Sequence, residues 1–309
     1  MSEPIHLKGI EPQVALDKIG ISYSGGGALV VVELGIARAF VKLGIVPAVI
    51  TGVSAGGLAG AAHALDPVGG RGIKLAADIL AHVSNGSLGL TPFHVLGRLV
   101  VEREHITSLG DNATIGPLIT AGLKRELGLD NVTIGYFKPP DRPVLMILAT
   151  DIENKEGVWL PDPTPLEDAV IASSAIPGVF PWRTMTIDGK QRLLADGGVV
   201  MNQPISNLVE QGCGTLYVCA VGSDAPFGPP RNALENAFRT INLAMHQAMK
   251  LEEAYVALKL GDNGVVHHIH PIINNLSGDN FDFQPGMIET VMADAEAQTI
   301  AWLSGGEKA

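Results

Sequence analysis

The 309-residue chain is 46% hydrophobic and 17% charged, a balance that supports a sizeable core and excludes a globally disordered chain. Its formal net charge of -11 excludes the basic footprint of a nucleic-acid binder and a purely electrostatic grip on anionic membranes. Any contact with a membrane or lipid aggregate must therefore be apolar, local and transient.

The opening MSEPIHLKGIEPQ lacks the basic and apolar regions of a signal peptide. The longest apolar stretch, Ala28 to Val53, is interrupted by Glu33, Arg38 and Lys42, so it does not read as a transmembrane helix. The expectation is a cytoplasmic protein.

Lys18–Ser24 predicts a short buried strand that ends on three glycines. Leu29–Gly44 predicts a helix with Gly44 as its C-cap. Pro47–Val53 predicts a second buried strand, and an Ala- and Gly-rich helix follows from Ser54 to about Leu65. Strand, helix, strand, helix with near-continuous apolar strands is the pattern of a parallel sheet covered on both faces. Residues 66–138 mix short helical patterns with Gly, Asn and Pro and read as a helical insert of the same domain. Within it, Ser87–Val100 (SLGLTPFHVLGRLV) is apolar enough to frame a substrate entrance; ordinary helical packing is the alternative.

Further along, Arg142–Ile152 predicts a buried strand, and PLEDAVIASSAIPGVFP holds a short helix that must end before Pro177. Thr184–Gly198 predicts a hairpin around Asp188-Gly189. Gly214–Gly222 predicts a core strand, Asn232–Leu260 a long amphipathic helix, Val265–Ile273 a strand and Met287–Leu303 a closing helix. Cys213 and Cys219 stand six residues apart on one predicted strand, about 20 Å against the roughly 7 Å a disulfide spans, so both read as buried thiols. No repeat or linker interrupts the chain. Residues 1–309 read as one domain, with its core motifs within 19–205 and further strands and helices over 206–309.

Gly52-Val53-Ser54-Ala55-Gly56 matches G-x-S-x-G, in which a strained strand-to-helix turn exposes the serine hydroxyl. A chain with 37 glycines meets this pattern by chance often enough that the match alone decides nothing. A plain serine N-cap on a small-residue helix is the competing reading. Gly25-Gly26-Gly27 also follow a strand and precede a helix; side-chain-free backbone there can turn N–H groups toward an acyl oxygen, or merely form a tight turn. The phosphate-loop and dinucleotide glycine patterns are absent, which argues against a mononucleotide site.

A nucleophilic serine needs a base. The nine histidines are His6, His63, His82, His94, His105, His246, His267, His268 and His270, and none stands in a recognisable catalytic context. His63 falls at the wrong end of the helix that starts at Ser54. His94 and His105 lie in the irregular insert and stay open. The HHIH run lacks the carboxylate pattern of a metal site. Asp196, in LLADGGVV, puts a carboxylate on a tight turn after an apolar strand and is the better candidate; a second Asp-Gly turn is the bland alternative.

Taken in order, these blocks resemble the patatin-like phospholipases. SGGGA (Ser24–Ala28) resembles the family's glycine-rich oxyanion motif, and GVSAGG (Gly52–Gly57) its nucleophile motif. ASSAIPGVFP (Ala172–Pro181) is similar to the segment between nucleophile and base. ADGGVVMNQPI (Ala195–Ile205) is similar to the Asp-Gly-Gly motif and the run after it, and ATDIENKEGVWL (Ala149–Leu160) is a softer match. The resemblance covers roughly Ile19 to Ile205.

It implies a three-layer α/β/α sandwich with a mostly parallel central sheet and a serine–aspartate dyad without histidine. Ser54 would be the nucleophile, Asp196 the general base, and Gly25, Gly26 and Gly27 the oxyanion hole. The implied reaction is hydrolysis of a lipid or ester substrate through an acyl-Ser54 intermediate, of phospholipase A, lysophospholipase or esterase type, with no metal or organic cofactor. An acyltransferase using the same dyad is the nearest alternative. Further off are a lipid-binding pseudoenzyme and a Ser-His-Asp hydrolase drawing on His246 or on His267, His268 or His270.

One departure stands out. The family usually carries a basic residue and then a glycine where this chain has Leu29 and Val30. If the basic residue engages an anionic head group, its loss directs the chain toward neutral esters or lysolipids. If it is structural, nothing follows about substrate.

Overall fold

The computed structural model describes residues 16–91, 94–95, 107–222, 233–274, 276, 278–283 and 285–305. The expectations placed on His6, His105 and much of Ser87–Val100 lie outside these residues. The chain begins with β1 (Lys18–Tyr23), α1 (Val30–Leu43), β2 (Val49–Val53), α2 (Ala55–Leu65) and α3 (Arg71–Leu80). It continues with α4 (Ile115–Gly122), β3 (Val144–Asp151), β4 (Glu156–Trp159), α5 (Leu166–Ser173), β5 (Arg183–Ile187) and β6 (Lys190–Asp196). It closes with α6 (Ser206–Glu210), β7 (Cys213–Cys219), α7 (Ala233–Leu260), β8 (Val265–Ile269) and α8 (Pro285–Leu303).

The strands form one sheet in the order β5-β6-β3-β2-β1-β7-β8, with β4 paired to β3. β3, β2, β1, β7 and β8 run parallel, while β4, β5 and β6 join antiparallel. Neighbouring strand residues feed different cores. Ile50 and Cys219 face the larger core with α1 to α5 and α8, whereas Val49 and Val218 face a smaller one with α6 and α7. Helices on both faces of a mostly parallel sheet give the three layers expected from the apolar strand runs.

Several local expectations are met in detail. Gly44 takes a left-handed conformation with φ 68° and closes α1 by donating to the Phe40 and Val41 carbonyls. Asp188 and Gly189 both have positive φ and turn the β5–β6 hairpin. Cys213 and Cys219 are buried free thiols at opposite ends of β7. From the insert, Leu75 and Ile79 of α3, Ile119 of α4 and Leu123 just beyond it enter the larger core. β4 and the single-turn helix α6 are too short to leave a periodic signature in the sequence. Among the described residues, no helix is long and apolar enough to cross a membrane.

Candidate active site

Ser54 sits between the end of β2 and the start of α2 with φ 53° and ψ -124°. This backbone is costly for a residue with a Cβ and persists only where its surroundings enforce it. Three contacts do so. The Ser54 N–H donates to Ser173 Oγ at 2.9 Å, Gly57 N–H donates back to the Ser54 carbonyl at 3.0 Å, and Gly56 N–H donates to the Ser24 carbonyl at 3.0 Å. A Cβ on Gly56 would collide with the Tyr23 and Ser24 carbonyls, so α2 approaches the end of β1 this closely only with glycine there. The positive end of α2 therefore points into the site.

Asp196 ends β6. Its backbone is held on two sides, by its own N–H donating to the Ala175 carbonyl at 2.9 Å and by Thr150 Oγ1 donating to its carbonyl at 2.8 Å. Its Oδ1 accepts the Gly198 N–H at 2.7 Å. Burial pushes the carboxyl up to about 6, against the pull of hydrogen bonds from the Ser54 hydroxyl and the Gly198 N–H. The structure thus brings Ser54 and Asp196 together, both 5% exposed.

The glycine loop lies beside them, but its three N–H groups are not equivalent. Gly25 N–H donates to the Asn202 carbonyl at 3.2 Å, and Asn202 Nδ2 donates back to the Gly25 carbonyl at 3.3 Å. Among the described residues, no hydrogen bond engages the N–H of Gly26 or Gly27. Gly27 has φ 57°, which glycine adopts freely.

Ser54 and Gly27 open on a cavity with about 530 Å³ of atom-free space, part of it continuous with solvent. Its walls are apolar: Val30, Leu58, Leu80, Val83, Leu88 and Phe180 among others. Among the described residues, the polar side chains on it are Ser54, Asn112 and Ser174, and no charged side chain lines it. Asn112 is already committed, donating to the Ile171 carbonyl and to Ser174 while accepting from Arg183. Leu88, from the apolar stretch of the insert, is part of the wall; Val30 is too, where the family usually has glycine.

Among the described residues, no histidine lines this cavity. His63 is wholly buried, with Nδ1 2.8 Å from the Tyr23 hydroxyl and its ring stacked on Phe40; burial holds it at about 3, neutral at ordinary pH. His267 stacks on Tyr217, and His246 is exposed on α7. His94 Nδ1 lies 2.6 Å from Thr91 Oγ1.

Three features of the site escape sequence reading. Ser173 and Asn202 lie inside the quoted motif blocks, yet their contacts are tertiary. Phe281 and Phe283 line the cavity from the C-terminal part of the chain, where no local pattern marks them.

Fold and site together define an α/β protein whose strained elbow serine lines an apolar cavity and has a buried aspartate beside it. The patatin-like phospholipase family model matches residues 21–209, and the chain belongs to that family. None of the curated protein sequences matches it. Among solved structures it is similar to VipD from Legionella pneumophila, at 14% identity over 94% of this chain and 67% of that one, TM-score 0.45. It is similar to human GIVD cytosolic phospholipase A2 in complex with a methyl gamma-linolenyl fluorophosphonate inhibitor, at 12% identity over 94% and 58%, TM-score 0.47. The type III effector protein ExoU is similar at 14% identity over 95% and 53%, TM-score 0.41. The chain spans between 53% and 67% of the length of these three proteins.

Proposed function

We propose that the protein hydrolyses carboxylic esters of lipids through an acyl-Ser54 intermediate, with Asp196 as general base. The observation that carries this reading is the strained elbow that sets Ser54 on an apolar cavity, with the buried Asp196 carboxyl near enough for the Ser54 hydroxyl to pull its pKa down against burial. Ser54 Oγ attacks the acyl carbonyl as its proton passes to Asp196. The carbonyl oxygen gains negative charge and is met by the open N–H groups of Gly26 and Gly27 and the positive end of α2. Gly25, with its N–H on Asn202, sets how closely the loop approaches. The C–O bond to the leaving group then breaks, and the departing alkoxide takes the proton from Asp196. A water gives its proton to Asp196 and attacks the acyl-enzyme, releasing the fatty acid and restoring the Ser54 hydroxyl.

A carboxylate raised to about 6 suits this work: mostly ionised at neutral pH, yet more basic than an ordinary aspartate. The described lining, apolar and without charge, fits a hydrocarbon tail rather than an anionic head group. With Leu29 in the position usually basic in the family, the favoured substrates are neutral acyl esters and lysolipids.

The test is Ser54→Ala, assayed on a short p-nitrophenyl ester alongside a thermal melt. Turnover should vanish with the melt kept, and undiminished turnover in the folded variant overturns the reading. A panel of head groups and acyl chains, with released fatty acid measured, then fixes the substrate class.

A further inference from the structure

The segment Gly278–Phe283 lies far beyond the residues matched by the family model, yet it reaches the centre of the site. The Gly278 carbonyl accepts the Ala28 N–H at 2.9 Å, directly after the glycine loop. A Cβ on Gly27 would collide with that carbonyl and stand 3.8 Å from Phe281 Cζ. Phe281 therefore comes up beside the place where the acyl carbonyl would sit. Its ring meets Phe180 edge-on with centroids 6.2 Å apart and Phe283 at 6.3 Å, and all three line the cavity. Leu29 supports the same segment, with its Cγ 3.7 Å from where a Cβ on Gly278 would stand.

One side chain clamps this strap to the loop after α3. Asn85 Nδ2 donates to Asn280 Oδ1 at 3.2 Å and to Asp282 Oδ2 at 3.0 Å. Asn85 Oδ1 accepts the Phe281 N–H at 3.2 Å, and its own N–H donates to Asp282 Oδ1 at 2.9 Å. Four hydrogen bonds on one residue leave the strap little freedom to shift when a ligand enters.

We propose that Gly278–Phe283 is the acyl-specificity element of this enzyme: Phe281 and Phe283 close the cavity against Phe180 and limit the acyl chain it accepts, and Asn85 is the positioning residue that holds them there. The inference rests on the proposed acyl hydrolysis. It assigns the choice of acyl chain to a segment outside the catalytic motifs. Phe281 abuts the glycine loop, and together with Phe283 it bounds the space open to the acyl chain. A buried wall of this kind discriminates about tenfold or more per methylene.

The experiment measures kcat/KM on p-nitrophenyl esters of graded chain length, and the rate at which alkyl fluorophosphonates of matching lengths label the protein. Phe281→Ala should raise the ratio of long-chain to short-chain rates about tenfold, and Phe281→Trp should lower it. Asn85→Ala should flatten the length profile, which a purely structural loss would not do, since that lowers all rates together. Melting curves identify any variant that fails to fold; Phe281→Leu and Phe283→Leu then replace it and should shift the ratio in the direction of the alanine variant. An active wild type whose Phe281 and Phe283 variants keep the wild-type profile overturns this proposal alone. A wild type that hydrolyses none of the esters, or labelling that persists in Ser54→Ala, overturns the acyl-enzyme reading and this proposal with it.

Discussion

The backbone N–H of Ser54 donates to Oγ of Ser173 at 2.9 Å, and that hydroxyl in turn donates to the Leu148 carbonyl at 2.6 Å. A fully buried serine on α5 thus ties the elbow to β3, although 119 residues separate it from Ser54. Ser173→Ala leaves a buried donor and acceptor unpaired, at a cost of about 1–3 kcal/mol. It also releases the strained backbone that aims the Ser54 hydroxyl. We expect kcat to fall by roughly one to two orders of magnitude with little change in KM, and the melting temperature to drop by several degrees. Steady-state kinetics on a short ester beside a thermal melt check this; an unchanged kcat sinks the positioning argument.

The Asp196 carboxyl, raised to about 6 by burial, sets a pH signature. The base must be ionised, so kcat/KM should fall as pH drops through about 6, tenfold per unit below it. Asp196→Asn should abolish the activity at every pH. His246→Ala and His268→Ala should leave the limb in place, since neither residue lines the cavity. A limb that moves or disappears in either histidine variant favours a Ser-His-Asp arrangement. The stability effect has its own sign. An aspartate with a raised folded value loses stability as pH rises from its unfolded value near 3.9 toward 6. Asp196→Asn should therefore melt higher than the wild type at pH 7.

Legibility followed locality. Ser54, the glycine loop and Asp196 could be singled out because a strained turn, a strand-to-helix loop and an Asp-Gly-Gly turn each need particular residues next to one another. The parallel core was legible because strands buried on both faces leave apolar runs. Ser173 and Asn202 stood in plain view within quoted blocks, but what they do depends on partners brought near only by the sheet. β4 and α6 are too short to carry a period. Phe281 and Phe283 come from a segment with no repeat, cap or motif, and only its seat on the glycine loop makes them part of the site. Glu33 misled in a different way: read as a charge interrupting an apolar run, it is wholly buried.

That buried acid gives a prediction of its own. Burial drives the Glu33 carboxyl well above the usual carboxylate range, opposed but not cancelled by Ser24. In the fold it stays protonated at pH values where the unfolded chain has already released the proton. Stability is therefore fully present below the unfolded value, near 4.3, and falls as pH rises toward the folded one, by about a factor of ten in the folding equilibrium per unit. Glu33→Gln keeps the shape and removes the proton. The gap in melting temperature between Glu33→Gln and the wild type should widen in favour of the variant from pH 5 to pH 8. Buried groups common to both proteins, such as His63 and Asp196, cancel in that difference. A gap independent of pH would mean that Glu33 is ionised in the fold.

Asn202 links the two halves of the dyad's surroundings, and its charge-changing variant separates electrostatics from positioning. Its Oδ1 and the Asp196 Oδ1 lie 2.8 and 3.0 Å from the place a Cβ on Gly198 would take, while its amide nitrogen and carbonyl bind Gly25. Asn202→Asp keeps the side chain's shape but sets a second carboxylate beside Asp196, and like charges resist joint ionisation. The acid limb of kcat/KM should move up from about 6 by roughly one unit. Asn202→Ala removes the side-chain hydrogen bond to the Gly25 carbonyl, keeps the backbone one and adds no charge, so it should lower kcat and leave the limb where the wild type has it. If Asn202→Asp lowers kcat but does not move the limb, Asn202 acts on the glycine loop alone and Asp196 is not the group that titrates. If the limb moves in Asn202→Asp and stays in Asn202→Ala, the titrating base lies within reach of position 202, where Asp196 stands.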